Sequence, residues 1–378
     1  MIQLPYSEQL NIGYLSRLFD NTTNCYKFFW FQAIIRKVNN NQSQFSFDEL
    51  INEMIADAWY MVTEYHLRLG PLGITDNLEE VVKYIYANYH FSSSEKRDKI
   101  IHFLEQCEDK KIAKYKSDLT LNVPYRFQVP FYDEIFIERS LWNGGKKVLT
   151  DRINQQKRLM YYFTKIAGVH SVIEVDDNWI EYLTAHKDIL RGWTQLKLIQ
   201  YLQNKNPSVP GIADKLEAPI ARDIDRVRKY WKLIIKMDPS LREIYGNVGL
   251  SDVAISVDHF VPWQYVAHDE LWNLHPTTKS INSSKSNSLP MWDLYFDKLG
   301  ELEYRAYRLR EDNEMIANEF NKIAPYHINN PQVLVQLYAS GLEASEFITR
   351  LEHVVKPVYD SAKVQGFKEW ICDEKSNI

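Results

Sequence analysis

Apolar residues recur at intervals of three and four along much of this chain, which is the spacing of an amphipathic α-helix. The clearest case follows Ser46 and Glu49, a pair with the spacing of an N-terminal capping box. Residues 21–37 begin with cap-type residues and are apolar on almost every side, so we predict a helix buried inside a bundle. Similar patterns predict helices in residues 76–116, 148–203, 212–237 and after Pro290. The predicted fold class is therefore mostly α, with a helical bundle as the scaffold.

The helical period is lost between residues 119 and 137, where Pro124 and Pro130 flank the sequence Tyr-Arg-Phe-Gln-Val. Proline lacks the backbone N–H that the interior of a helix or of a central strand uses. We therefore predict an extended segment here, with one or two short strands.

A second change of period begins at residue 254, where positions 254, 256 and 258 alternate with the more apolar positions 255 and 257. This alternation predicts a short strand that stops before Pro262 and ends at Asp258 and His259. Residues 271–274 form a second short apolar run, and the threonines at 277 and 278 can each cap a following helix. Asn282 and Lys285 lie three residues apart on that helix, so they share one face, which can lie against Asp258 and His259.

The residue types at these positions suit hydrolysis of a phosphodiester. A hard divalent cation takes oxygen ligands, and Asp258 and Asn282 can provide a carboxylate and an amide oxygen. Two protein ligands suit Mg²⁺ (or Mn²⁺), because this ion keeps several bound waters. They are too few for a four-ligand zinc site. His259 can act as the base that takes a proton from water, and Lys285 can stabilise charge on the phosphate. Asn273 can hold the loop after His259 through hydrogen bonds to the backbone.

Together these residues resemble the HNH endonucleases, a family with a ββα-metal fold. The spacing is similar to that of the HNH domain of RNA-guided CRISPR nucleases: Asp-His, an Asn fourteen residues after His259, a second Asn nine further on, and a Lys three beyond. The resemblance implies that Asp258 and Asn282 are metal ligands, His259 is the general base, Asn273 is structural and Lys285 is an accessory cation. Asn282 stands where many members have His, which makes this an H-N-N variant. Cys pairs for a structural zinc are absent from the sequence.

Each of these residue types alone is more often structural than catalytic, and it is their combination at matching spacing that favours a nuclease. His268 and His275 match no motif position, so we interpret both as structural or surface residues. Asp269 and Glu270 are interpreted as loop or turn-capping residues rather than further ligands. The two tryptophans of this stretch, at 263 and 272, are predicted to be core anchors of a very small domain.

Charge bears on how nucleic acid would be bound. A net charge of −5 and a pI near 6.1 are unlike those of a strong free-standing DNA binder, so either the basic residues cluster on one surface or a partner protein or guide assists. The predicted helix at 212–237 offers such a cluster. Its basic positions at helical spacing include Arg222, Arg226, Lys229 and Lys232. We predict that this face contacts DNA phosphates; the alternative is a solvated face, since Asp223 and Asp225 dilute the charge.

We predict a cytoplasmic protein without a membrane segment. Its three cysteines are scattered, it has no signal-peptide pattern, and its most apolar run, residues 28–35, is too short to cross a bilayer. The length of 378 residues is enough for two or three domains. We predict a helical N-terminal domain at 1–245, an HNH ββα-metal nuclease domain at 246–292, and C-terminal helices at 293–378 that pack back on the scaffold.

This layout loosely resembles bacterial HNH endonucleases with long helical N-terminal regions, several of which serve in restriction or anti-phage defence. The predicted function is a metal-dependent DNA endonuclease, with a homodimer expected if both strands are cut. The alternative is a non-catalytic nucleic-acid-binding or assembly subunit with a vestigial HNH centre. Every motif position holds a residue of the type that catalysis needs, and this favours the enzyme.

Overall fold

The computed structural model describes residues 3–39, 41–132, 142, 144–156, 158–217 and 224–373. The chain divides into two compact units, Met1–Pro207 with Lys215–Ala218, and Ser208–Asp214 with Pro219–Ile378. Helices predominate in both units, so the predicted mostly α fold class is confirmed. Among the described helices, none combines the length and apolar character needed to cross a membrane.

The first unit is a helical bundle with one small sheet. Its described helices are α1 (Ile12–Ser16), α2 (Tyr26–Lys37), α3 (Phe47–Thr63), α4 (Asn77–Tyr89), α5 (Arg97–Gln106), α6 (Lys110–Leu119), α7 (Val123–Arg126), α8 (Lys146–Asn154), α9 (Asp177–Ala185) and α10 (Lys187–Lys205). Helix α2 is buried on nearly all sides, as predicted. The capping box of Ser46 and Glu49 begins α3, because the Ser46 hydroxyl accepts the Glu49 N–H and the Glu49 carboxylate accepts the Ser46 N–H.

The strands of this unit lie away from the segment where the sequence predicted them. Strands β1 (Gln44–Ser46), β2 (Tyr161–Lys165) and β3 (Val172–Val175) form an antiparallel sheet in the order β1-β3-β2. In the predicted extended segment at 119–137, the described residues instead form α7 and a short 3₁₀ turn at Val129–Phe131, so this prediction was wrong; residues 133–137 lie outside the described chain. Pro124 and Pro130 each occupy the first turn of a helical element, where a missing N–H costs nothing.

The second unit contains the remaining elements. Its described helices are α11 (Asp225–Met237), α12 (Trp263–Val266), α13 (Lys279–Lys285), α14 (Trp292–Asp312), α15 (Glu314–His327), α16 (Pro331–Leu337) and α17 (Ala344–Gln365). Strands β4 (Ser256–His259) and β5 (Leu274–Thr277) form an antiparallel hairpin, and β6 (Leu289–Pro290) pairs in parallel with β7 (Glu369–Trp370).

One hydrophobic core unites these elements, and it includes helix α11, which the prediction assigned to the N-terminal domain; the predicted domain bounds stay a prediction. Trp231 of α11, Leu274 of β5 and Phe347 of α17 belong to the same buried cluster. The Trp231 indole N–H also donates to the carbonyl of Leu274 at 2.9 Å. Helix α11 therefore packs with the hairpin, because its buried residues belong to the same cluster as those of β5. Helices α14 and α15 contact α11; packing of residues 293–378 on the rest of the predicted scaffold stays a prediction.

Glu303 is an ionisable residue inside this core. It lies on α14, it is buried, and its Oε1 atom has no hydrogen-bond partner among the described residues. Burial raises the pKa of the Glu303 carboxyl well above its ordinary value of 4.5, which favours the protonated carboxyl in the folded protein. In the unfolded chain the Glu303 carboxyl ionises above this ordinary value. The free energy of unfolding therefore falls as the pH rises above the ordinary value.

We expect Glu303→Gln to remove this dependence, because the amide is neutral in both states. Relative to the variant, the wild type should lose about 1.4 kcal/mol of stability per pH unit above pH ~5, until the native carboxyl ionises. Thermal unfolding of both proteins at pH 5 and pH 7 measures the difference. Parallel changes in the two proteins would show that Glu303 is not protonated on folding.

Candidate active site

The hairpin and the helix that follows it bring the motif residues together. In the β4–β5 register, Asp258 is opposite His275 and His259 is opposite Leu274. Thr278 caps α13 by accepting the N–H of Ile281 at 3.3 Å, which begins the helix where the sequence predicted it. The order strand, loop, strand, helix is therefore the predicted one.

Helix α13 directs two side chains at strand β4. The Asn282 amide nitrogen donates to Ser256 Oγ at 2.7 Å and to the Val257 carbonyl at 3.3 Å. One turn later, Lys285 Nζ donates to the His259 carbonyl at 2.7 Å. The shared helix face predicted for Asn282 and Lys285 thus lies against the strand that carries Asp258 and His259.

Asp258 is held in a buried set of polar contacts. Its Oδ2 accepts the Tyr245 hydroxyl at 2.8 Å, and Lys285 Nζ lies 3.1 Å from Oδ2 and 3.3 Å from Oδ1. Burial, reinforced by the negative charge of Asp258, raises the pKa of Tyr245 far above its ordinary value, so the phenol stays a donor. Burial lowers the pKa of Lys285, and the neighbouring carboxylate opposes that change. This carboxylate therefore has a fixed position.

Asn282 and Asp258 carry oxygen atoms of the type that a hard divalent ion takes as ligands. Only the amide nitrogen can donate to the Val257 carbonyl, which assigns the Asn282 side-chain orientation and leaves Oδ1 as its acceptor. That oxygen has no hydrogen-bond partner within the described chain, and a carboxylate such as Asp258 has about four acceptor positions. No group of three or more His, Cys, Asp or Glu among the described residues is arranged to hold a metal. An ion on Asp258 and Asn282 would complete its coordination with water and substrate oxygens, as Mg²⁺ does.

His259 lies at the end of β4 and is largely buried. Its Nε2 atom is 2.7 Å from Asp269 Oδ1. Asp269 was interpreted from the sequence as a loop or turn-capping residue, and this contact was not foreseen. Glu270, the next residue, accepts hydrogen bonds from the backbone N–H and the side-chain amide of Asn329.

Asn273 has the contacts that its predicted structural role requires. It is fully buried, its Oδ1 accepts the N–H of Val261 at 2.8 Å, and its amide nitrogen donates to the Val261 carbonyl at 2.9 Å. The Asn273 carbonyl also accepts the N–H of Phe260. These bonds hold the loop that follows His259.

Besides Asp269, the sequence does not predict the contributions of Tyr245, Glu243 and His275 to the site. The Glu243 carboxylate accepts the N–H groups of Tyr245, Gly246 and Val248, and so orders the turn that brings Tyr245 to Asp258. His275 is fully buried with Nε2 at 3.7 Å from Asp258 Oδ2, and burial lowers the pKa of His275 to about 4, so its ring is neutral. The cross-strand position of His275 follows from the hairpin register. The contacts of Glu243 and Tyr245 depend on the turn at residues 243–248. Trp263 and Trp272 are buried, as predicted, and His268 is exposed.

The predicted basic face lies on α11. Arg226 is exposed with its guanidinium 4.0 Å from the centre of the Tyr326 ring, and Lys229 is also exposed. Lys232 is half-buried and donates to the Val253 carbonyl at 3.4 Å. Arg222 lies outside the described residues. Contact of these residues with nucleic acid stays a prediction.

We expect charge reversal at this face, Arg226→Glu with Lys229→Glu, to weaken DNA binding and to lower the slope of log K against log salt by about 2, one for each lost phosphate contact. Fluorescence anisotropy at several salt concentrations measures both quantities. Lys110→Glu with Lys114→Glu, at exposed positions of α6, makes the same change in net charge. Equal effects of the two pairs would assign the loss to net charge and not to the α11 face.

Comparison with known proteins identifies one segment. Residues 246–291 match the family described as HNH endonuclease. The curated proteins and the solved structures with which the chain was compared contain no match.

Proposed function

Residues 246–291 of this chain form a domain of the HNH endonuclease family, and from this premise we propose that the protein hydrolyses phosphodiester bonds in DNA in a metal-dependent reaction. One observation carries the proposal. Lys285 contacts both the Asp258 carboxylate and the His259 carbonyl, so the strand and the helix that bear the motif residues converge at one point. A ligand carboxylate and an imidazole base next to each other are the groups that this hydrolysis needs.

In the proposed mechanism, Asp258 and Asn282 hold Mg²⁺ or Mn²⁺, which when bound supplies stabilisation of negative charge on the phosphate. His259, as a neutral imidazole, takes the proton from the attacking water. Asn273 keeps residues 260 and 261 in place, and with them the end of the strand that presents His259. Lys285 holds Asp258 and the His259 carbonyl; because its ammonium is buried, we assign it this holding role in addition to the predicted stabilisation of phosphate charge.

Cleavage of supercoiled plasmid in the presence of Mg²⁺ or Mn²⁺ tests the proposal. We expect the wild type to produce nicked or linear DNA, EDTA to abolish cleavage, and Asp258→Asn to lower the rate to background because an amide is a poorer ligand for a hard cation. Asp297→Asn, an exposed position on α14, is the matched control and should cleave like the wild type. Equal activity of wild type and Asp258→Asn would instead favour the non-catalytic binding subunit.

Partners and context are further proposals. The net charge of −5 supports a partner protein or guide that supplies part of the affinity for nucleic acid. A homodimer would place two single-ion centres on the two strands, so linear product should increase with protein concentration relative to nicked circles. The resemblance to defence nucleases supports a role in restriction or anti-phage defence, which plating of phage on cells with wild-type or inactive protein would test.

A further inference from the structure

The base His259 has a carboxylate partner whose position is set outside the matched HNH segment. The Asp269 carboxylate lies 2.7 Å from His259 Nε2, with 8% of the His259 side chain and 20% of the Asp269 side chain exposed. A carboxylate accepts hydrogen bonds, so this contact favours the proton of a neutral imidazole on Nε2. The lone pair then resides on Nδ1, the nitrogen that would accept the proton of water.

The loop that carries Asp269 is attached to the end of helix α15. The Asp269 carbonyl lies 2.8 Å from His327 Nδ1, and since a carbonyl only accepts, the His327 ring donates. The Glu270 carboxylate accepts the backbone N–H of Asn329 at 3.1 Å and its side-chain amide at 2.7 Å. Two consecutive loop residues are therefore bound to residues 327–329, which lie beyond residue 291.

His327 and Glu270 are both buried, so water competes little with these bonds. Ala267, two residues before Asp269, ends α12 with φ of 56°, a left-handed conformation that turns the chain toward the loop.

We propose that Asp269 is the positioning residue of His259, which sets its tautomer and ring orientation, and that the end of α15 holds Asp269 in place. The inference rests on the proposed nuclease function. It makes the orientation of the base dependent on the C-terminal helices as well as on the HNH motif. Asp269 is assigned no direct contact with the ion or the substrate.

The test uses the full chain with Asp269→Asn and, as matched control in the same domain, the exposed Asp252→Asn. An amide can donate as well as accept, so Asp269→Asn no longer favours one tautomer. We expect kcat for plasmid cleavage to fall about 10- to 100-fold with KM unchanged, as for other partners of functional imidazoles. In spectra of protein with ¹⁵N-labelled histidine, recorded at pH 8, His259 should show the Nε2–H tautomer in the wild type and a mixture in Asp269→Asn.

A second variant tests the attachment to α15. His327→Phe keeps the buried ring volume but removes the donor to the Asp269 carbonyl, so we expect the His259 resonances to change in the same direction and kcat to fall by a smaller factor. Binding of Mn²⁺, followed by electron paramagnetic resonance, should be unchanged in both variants. Weaker Mn²⁺ binding by Asp269→Asn would overturn the inference in favour of a ligand role for Asp269.

The outcomes separate this inference from the proposed function. A wild-type protein that cleaves DNA, together with an Asp269→Asn variant of unchanged kcat and unchanged His259 resonances, would overturn the positioning role alone. A wild-type protein that cleaves nothing would overturn the proposed function, while the histidine spectra would still decide whether Asp269 and α15 set the imidazole tautomer.

Discussion

His259→Ala should reduce the first-order rate constant for DNA cleavage by about 10²- to 10⁴-fold, the usual contribution of a positioned general base. The ring lies at the end of β4, next to Asp258 in sequence and against Asp269 in space. Alanine keeps the strand and its backbone carbonyl, which accepts Lys285, so the ion ligands stay in place. Single-turnover plasmid cleavage with saturating Mn²⁺ measures the chemical step, and circular dichroism checks that the variant is folded.

The matched control is His268→Ala, which removes an exposed histidine nine residues further along the same segment. It should cleave at the wild-type rate. Retention of more than a tenth of the activity by His259→Ala would show that another group, or solvent, acts as the base. Loss of activity in both variants would point to a general sensitivity of the 256–277 hairpin and not to base catalysis.

Lys285→Met should cause the largest loss of stability, about 3–5 kcal/mol, because it leaves the buried Asp258 carboxylate without its cation. In this protein the Lys285 ammonium is fully buried, with Asp258 oxygens at 3.1 and 3.3 Å and the His259 carbonyl at 2.7 Å. Methionine fills the same space as the lysine chain, so the loss reports the charge and the hydrogen bonds. For a unit of this size we expect the unfolding temperature to fall by about 2–4 °C per kcal/mol.

A double-mutant cycle with Asp258→Asn isolates the interaction. Each single variant leaves one buried charge unpaired, whereas Lys285→Met with Asp258→Asn leaves none, so the double variant should be more stable than Lys285→Met alone. It should nevertheless remain inactive, since the ligand carboxylate is gone. Lys279→Met, on the exposed side of α13, is the control and should unfold like the wild type. Strictly additive losses would mean that Lys285 and Asp258 are not coupled.

The sequence by itself determined the features that depend on near neighbours. The capping residues Ser46 and Thr278 begin α3 and α13, because a side-chain oxygen three residues away satisfies an exposed N–H whatever the rest of the fold does. The hairpin followed by a helix was readable because alternation, Pro262 and a helix cap all fall within about thirty-five residues of chain. This short range also explains why Asp258, His259, Asn282 and Lys285 were found together.

Only the tertiary structure decided what depends on distant chain segments. Pro124 and Pro130 begin helical turns instead of breaking the helical period. Strand β3 pairs with β2 and also with β1, which lies more than a hundred residues earlier in the chain. Helix α11 joined the second core because its apolar face packs on β5, which no local pattern reveals. The same applies to the attachment of Asp269 and Glu270 to residues 327–329, whose bonds span 58 and 59 residues of chain. Contacts between residues far apart in sequence leave no periodicity, because they are selected by packing and burial in the folded chain.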